Sequence, residues 1–177
     1  MIVRVATLAD LNFCLALDRA STTDHVWQMK VEEGESEVGV TFHVVRLPRA
    51  MRAEYPRSTD ELIENWERQA GFLVAELDGE VRGYIDLQPQ PWQGMGWVAN
   101  LAVEPTYRRR GIASALMRHA GQWAREQGLQ GMVVEATTKN YPAICLYQKL
   151  GFKFCGFNDH YYTNQDIALF FVQMSRR

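Results

Sequence analysis

The chain has 177 residues and a mass of 20.3 kDa, with 47% hydrophobic and 23% charged residues, which suits one globular domain and excludes extensive disorder. A net charge of −2 and a pI of about 6.1 argue against general nucleic-acid binding. Cys14, Cys145 and Cys155 form no C-x-x-C or zinc pattern, no stretch is apolar for long enough to span a membrane, and no basic leader opens the chain; the expectation is one cytoplasmic domain over 1–177, with no metal.

The chain opens with a short strand, Ile2–Val5, and a helix for which Thr7 and Asp10 are candidate caps. Glu32–Glu37, acidic and containing Gly34, reads as a loop. Val38, Val40, Phe42 and Val44 alternate, which predicts a strand over Val38–Arg46. Pro48 and Pro56 bracket an irregular stretch, and Thr59-Asp60-Glu61 opens a short helix. Phe72–Leu77, Asp78-Gly79 and Val81–Leu87 predict a hairpin, because Asp-Gly supplies the positive φ angles of a type I′ turn. Pro89, Pro91 and Gly94 break the chain before a strand at Trp97–Val103. Gly111–Gln127 is a helix by its spacing of Ala113, Leu116, Met117, Ala120 and Ala124, ended by Gly128. Met132–Thr137 is a strand. Asn140–Leu150 is a helix with Asn140 as cap, Pro142 in the first turn and Gly151 as stop. Lys153–Phe157 and Ile167–Met174 are the closing strands. The order predicts an α/β or α+β chain with a mixed sheet and no domain boundary.

Two segments carry the candidate chemistry. In Leu101-Ala102-Val103-Glu104-Pro105-Thr106-Tyr107-Arg108-Arg109-Arg110-Gly111-Ile112-Ala113-Ser114 a strand ends, a turn follows, and a helix starts at a glycine. The first amides of a helix lack intrahelical partners and sit at the positive end of its dipole. Gly111 and Ala113 leave room for an anion, and between Glu104 and Gly128 five arginines face two glutamates. These features predict a diphosphate cradle that is neither a Walker loop nor a Rossmann fingerprint. In the second segment, 140–152, Ala143, Tyr147 and Leu150 share a helical face behind the Asn140 cap.

Together the segments resemble the GCN5-related N-acetyltransferase (GNAT) superfamily. Arg108-x-x-Gly111-x-Ala113 matches its acyl-CoA pyrophosphate motif, and Asn140-x-x-Ala143-x-x-x-Tyr147-x-x-x-Gly151-Phe152 looks like its second cofactor motif. Arg108 to Ala113, Glu135-Ala136-Thr137 and Asp166 to Phe171 are similar to the streptothricin acetyltransferase branch. That branch often carries acids just before the Ile/Leu-Ala-Val of its fourth strand, where this chain has Ala99 and Asn100. The resemblance implies a mixed, mostly antiparallel central sheet of six to seven strands flanked by about four helices. It also implies transfer of acetyl from acetyl-CoA to a primary amine by direct attack. The pyrophosphate falls to the amides of Arg109, Arg110, Gly111, Ile112, Ala113 and Ser114, with Arg108, Asn140 and Ala143 beside them. The pantetheine arm falls to the main chain of Leu101–Val103 around Ala102, and the proton donor to the CoA sulfur is Tyr147.

Glu135 is the first candidate base, with a structural carboxylate as its alternative; Asp86 and His160 are reserves. Cys145 and Cys155 lack a nearby histidine in sequence to activate them as nucleophiles. The stretches 38–57 and 89–96, with Trp92 and Trp97, are expected to shape the acceptor side, while Trp27, Trp92 and Tyr161–Tyr162 are either aromatics that stack on a ring or cation or residues of the core. Glu32, Glu33, Glu35 and Glu37 form either a lure for a cationic amine or a solvated turn. Three readings stand: an acetyltransferase for a small-molecule amine, including aminoglycoside- or streptothricin-like antibiotics; a protein or peptide N-acetyltransferase; and a non-catalytic acyl-CoA sensor. A homodimer is the default expectation for assembly.

Overall fold

The computed structural model describes residues 1–68 and 70–175. In chain order the elements are β1 (Ile2–Val5), α1 (Leu8–Ala16), β2 (Ser21–Glu33), β3 (Val38–Ala53), α2 (Thr59–Glu67), β4 (Gly71–Leu77), β5 (Glu80–Gln90), β6 (Met95–Val103), a 3₁₀ turn (Pro105–Tyr107), α3 (Ile112–Glu126), β7 (Gly131–Thr137), α4 (Tyr141–Lys149), β8 (Lys153–Asn158) and β9 (Ala168–Met174). Seven strands form one sheet in the order β1-β4-β5-β6-β7-β9-β8. Only β6 and β7 run parallel; the other neighbours are antiparallel. This is the mixed sheet with four helices that the resemblance implies. No described helix is long and apolar enough to cross a membrane.

The sheet is covered on both faces because its strands alternate apolar residues to both sides. Ile85, Leu87, Val98, Val134, Leu169 and Phe171 pack under α3 and α4, through Ile112, Leu116, Ala120 and Ile144. Val74, Tyr84 and Ala102 face the other way and pack under α1 and α2, through Cys14 and Leu62. The Asp78-Gly79 turn has the expected positive φ angles, 56° and 80°. At the start of α1, Asp10 Oδ2 accepts the Thr7 N–H at 2.7 Å, while Arg4 donates to both carboxylate oxygens. The Arg4 guanidinium thereby holds the Asp10 carboxyl well below the usual carboxylate range.

Three expectations need correction. Ser21–Glu33 is a long strand, β2, paired with β3 as a separate two-stranded arm, and residues 34–37 are the turn between them. The stretch after Arg46 is not irregular throughout, since β3 runs on to Ala53. Its pairing skips between Arg46 and Met51, which places Pro48 in a bulge, where its missing N–H costs no ladder bond. Likewise β5 continues through Pro89 to Gln90, so the break is only the turn at 91–94. The arm lies over the β7–α4–β8 end of the sheet. Trp27 N–H donates to Thr138 O at 2.9 Å, and Phe42 packs on Phe154 and Phe157 with ring centroids 5.9 and 5.2 Å away.

Candidate active site

β6 and β7 are hydrogen-bonded only from the Met95–Gly131 pair to the Val98–Val134 pair. Beyond that point β6 stays with β5 as far as Val103, and β7 stays with β9 through Thr137, so the two central strands part. A bulge marks the fork. Asp86 pairs with Asn100 and Leu87 with Val98, leaving Ala99 as the extra residue that bends β6. The fork opens a cleft of about 670 Å³, lined by 98–103 on one side and 135–137 on the other, with the starts of α3 and α4 along it.

The turn after β6 is built for an anion. Arg109 has φ +65° and Gly111 φ +86°. Such alternation of right- and left-handed residues exposes successive amides as an anion-binding nest. No backbone carbonyl among the described residues accepts from the amides of Arg109, Arg110 or Gly111. Those of Ile112, Ala113 and Ser114 lie in the first turn of α3, and Gly111 at the cap has no side chain to offer them. A Cβ on Gly111 would meet nothing within 4 Å. The left-handed backbone is what calls for glycine, and the space above it is open. Bare amides, a helix dipole and open volume fit a diphosphate.

The three arginines have different roles. The Arg108 guanidinium donates to the carbonyls of Val103, Ala20 and Asp18 at 3.0, 2.7 and 3.0 Å. It is expected among the cofactor-binding groups and lines the cleft, and its side chain also ties the approach to β2 onto the end of β6. Arg110 lies over the Tyr107 ring at 4.9 Å. Arg109 lines the cleft.

α4 brings the second group. Asn140 Oδ1 accepts the Ala143 N–H at 3.3 Å, the expected cap, and Asn140, Ala143, Leu146 and Tyr147 all line the cleft. Tyr147 is buried, its ring between Phe152 and Phe171. Burial, with Tyr55 and Glu135 nearby, pushes its phenol well above the ordinary value, so the group stays protonated.

Residues from the opposite face complete the cleft. Glu135 Oε1 accepts from Arg57 Nη2 at 2.5 Å, Arg57 Nε at 3.1 Å and the Tyr162 hydroxyl at 3.0 Å. Its side chain is 4% exposed, and Oε2 is buried without a partner. Arg57 also donates to Glu61 at 2.8 Å. Tyr55 donates its hydroxyl proton to Asn100 Oδ1 at 3.0 Å, and the Leu101 N–H is directed to the same hydroxyl. Burial lifts the Tyr55 phenol to about 12. Asn100 in turn donates to Asp86 at 2.9 Å, and Asp86 also accepts from Asn65 at 2.7 Å and Gln88 at 2.9 Å. An acid therefore does stand beside β6, on the neighbouring strand and out of the cleft. Burial raises its carboxyl against the pull of those three amides.

Sequence reasoning places Glu135, Tyr147, Leu101–Val103, Arg108–Ser114, Asn140 and Ala143 in this cleft, and the structure lines it with all of them except Arg110. It includes Tyr55 and Arg57 only within the 38–57 stretch expected on the acceptor side and assigns neither a role of its own. Arg57 and Glu61 four apart across the start of α2 were a readable ion pair; Tyr55 left no signal. His160 is exposed in a turn beside Asp159, and Trp92 is 80% exposed, both away from the cleft lining. Glu32, Glu33, Glu35 and Glu37 lie exposed at the tip of the arm, so the solvated-turn reading holds. Cys145 lines the cleft with its thiol against Tyr141, and Cys155 is exposed. Among the described residues no group of three or more His, Cys, Asp or Glu could hold a metal ion.

Residues 43–152 match the model of the acetyltransferase (GNAT) family. The streptothricin acetyltransferase of Streptomyces lavendulae is 35% identical over 91 residues, which is 51% of this chain and 48% of that protein. The matched region thus spans about half the length of that relative. An N-alpha-acetyltransferase of Sulfurisphaera tokodaii is 38% identical over 113 residues, 58% of this chain and 68% of that one. Among solved structures, a nourseothricin acetyltransferase superposes with a TM-score of 0.84 at 26% identity, covering 99% of this chain and 98% of the other.

Proposed function

Because the chain belongs to the acetyltransferase (GNAT) family, we propose that it transfers acetyl from acetyl-CoA to the amine of a small molecule by direct attack. The observation that carries this reading is the parting of β6 from β7 beside a turn of bare amides. Bound there, acetyl-CoA supplies an acyl group activated as a thioester. The amides of Arg109–Ser114 and the Arg109 side chain hold the diphosphate, and the free edge of Leu101–Val103 pairs with the extended arm as with an added strand. The Leu101 N–H, which faces Tyr55 in the free protein, polarises the thioester oxygen as charge develops. Glu135 Oε2 takes a hydrogen bond from the attacking amine and receives its proton. Tyr147, held protonated, donates to the departing sulfur.

The streptothricin and nourseothricin acetyltransferases among its relatives support an antibiotic-like amine as acceptor. The N-alpha-acetyltransferase relative favours a peptide N-terminus as the second reading. Thermal unfolding with acetyl-CoA is the first test. At about 100 times Kd, binding adds roughly 2.7 kcal/mol and raises Tm by about 5–11 °C. No rise at millimolar acetyl-CoA overturns the reading. Thiol release with amines and peptides then separates the two acceptors, and a rise without any release leaves a binding protein. Tyr147→Phe should lower turnover about a hundredfold while keeping the acetyl-CoA shift; unchanged turnover removes Tyr147 from proton donation.

A further inference from the structure

A second cavity, of about 600 Å³, lies between α2, the Gln88–Gln90 end of β5 and Ala99 of β6. Its walls carry Glu61, Glu64, Asn65, Arg68, Gln88 and Gln90, and it meets the cleft at Arg57 and Ala99, which line both. Glu135 stands at this junction through its bond to Arg57. Asp86 lies fully buried behind Asn65 and Gln88 and accepts only from amides, with no ion-pair partner among the described residues. Against these carboxylates stand two guanidiniums: Arg57, already divided between Glu61 and Glu135, and the exposed Arg68.

Buried carboxylates ordinarily take a cation or a full set of donors, because desolvating an unmatched charge is costly. Two here fall short. Asp86 has no ion-pair partner among the described residues, only the more distant charge of Arg57, and Glu135 Oε2 has no donor among them although its side chain is 4% exposed and lines the cleft. Glu135 lines the cleft beside Arg57 and Ala99, which the two cavities share; Asp86 lies behind the wall of the second cavity, bonded to its lining residues Asn65 and Gln88, and Glu61 and Glu64 carry the same sign along that wall. We propose that this cavity binds a second cationic group of the acceptor, so that the natural substrate is a compact di- or polyamine. One amine meets Glu135 Oε2 for acetylation; another sits among Glu61, Glu64, Asn65 and Gln88. The inference rests on the acetyl-transfer reading of the cleft. A peptide N-terminus fits it less well, since it brings one cation followed by a neutral backbone and leaves the outer carboxylates unmatched.

The test compares aliphatic diamines of increasing length with n-alkyl monoamines of the same length, in the intact protein and in Glu64→Gln and Glu61→Gln/Glu64→Gln. The best diamine should exceed its monoamine about tenfold in kcat/KM, and the double substitution should shrink that ratio at least about fivefold. Added salt should shrink it too. Equal rates for diamine and monoamine, or a ratio untouched by the double substitution, overturn the proposal. So does equally fast acetylation of peptides without basic side chains. Binding is also read without turnover, as the extra thermal shift that a diamine adds to the CoA-saturated protein. A shift that the double substitution removes supports the cavity even if no thiol is released, in which case only the transfer reading fails. No diamine shift beside a normal acetyl-CoA shift defeats the cavity alone.

Discussion

On the α3 side of the cleft the groups proposed to hold a ligand are main-chain amides, set by a single turn between Arg108 and Ser114, and on the α2 side the polar network differs in kind. It is made of side chains from scattered places: Tyr55 and Arg57 before α2, Glu61 on it, Asn100 on β6, Glu135 on β7 and Tyr162 before β9. The first construction depends on local φ angles and tolerates most side chains outside Gly111. The second depends on hydrogen bonds between residues as far apart as Arg57 and Glu135, and losing one member strands the others. A co-substrate common to a whole family suits the first; an acceptor that varies among relatives suits the second.

The contrast breaks hardest at Arg57. Arg57→Ala leaves Glu135 buried with Tyr162 as its remaining donor, and should cost about 3–5 kcal/mol in urea unfolding. Adding Glu135→Gln should recover part of that loss. The acetyl-CoA thermal shift should survive in both, and its loss would show that the two sides are not independent. Next comes Arg108→Ala, which removes three bonds to backbone carbonyls and should destabilise by about 2 kcal/mol with little change in acetyl-CoA affinity. Arg109→Ala should do the reverse, weakening acetyl-CoA binding at near-constant Tm; exchanged outcomes would swap the two assignments. Gly111→Ala should cost about 1–2 kcal/mol from its left-handed backbone and weaken acetyl-CoA binding, because the new methyl enters the open space over the amides.

The smallest expected effect is in the pH dependence of stability, where two buried acids on the α1–α2 side differ in their partners. Asp10, lowered by Arg4, contributes stability that is complete above its unfolded value of about 3.9 and lost as the pH falls below it. Asp10→Asn should therefore be less stable at neutral pH, with the gap closing in acid. Asp86, raised by burial, has the opposite sign. Its ionisation costs stability as the pH rises through and above the ordinary carboxylate range, so it tilts the profile toward acid. Chemical denaturation of both Asn variants between pH 3 and 7, a range set by about 3.9 for the unfolded carboxyl, reads the two slopes. A widening gap for Asp10→Asn in acid would refute the Arg4 pairing as its cause.

What could be read from the chain follows the same division. Gly111 after three arginines, Asn140 before Pro142, and Asp78-Gly79 between two apolar runs each state a local backbone geometry, and each appears where expected. β2 escaped notice because much of Ser21–Glu33 is exposed along an arm that stands off the main sheet, so no clean alternation of apolar and polar residues marks it. Pro48 read as a break because a bulge that can absorb a proline is defined by the partner strand, not by its own neighbours. Tyr55 falls in the 38–57 stretch expected on the acceptor side, but its contact is illegible for a similar reason. Nothing around it in sequence says that its hydroxyl will meet Asn100, 45 residues on.

The position of β9 in the sheet also constrains the order of assembly. It lies between β7 and β8, yet it is made after both, and β8 pairs with nothing else. While the chain emerges from the ribosome, β7 has a bare edge on one side and the fork with β6 on the other, and β8 has no sheet to join. The strand that carries Glu135 therefore gains its second neighbour only when residues 168–174 have been synthesised. Until then the nascent chain exposes an apolar strand edge of the kind that invites wrong pairing. The late insertion of one strand thus sets both when the cleft becomes competent and when the growing polypeptide is most vulnerable to aggregation.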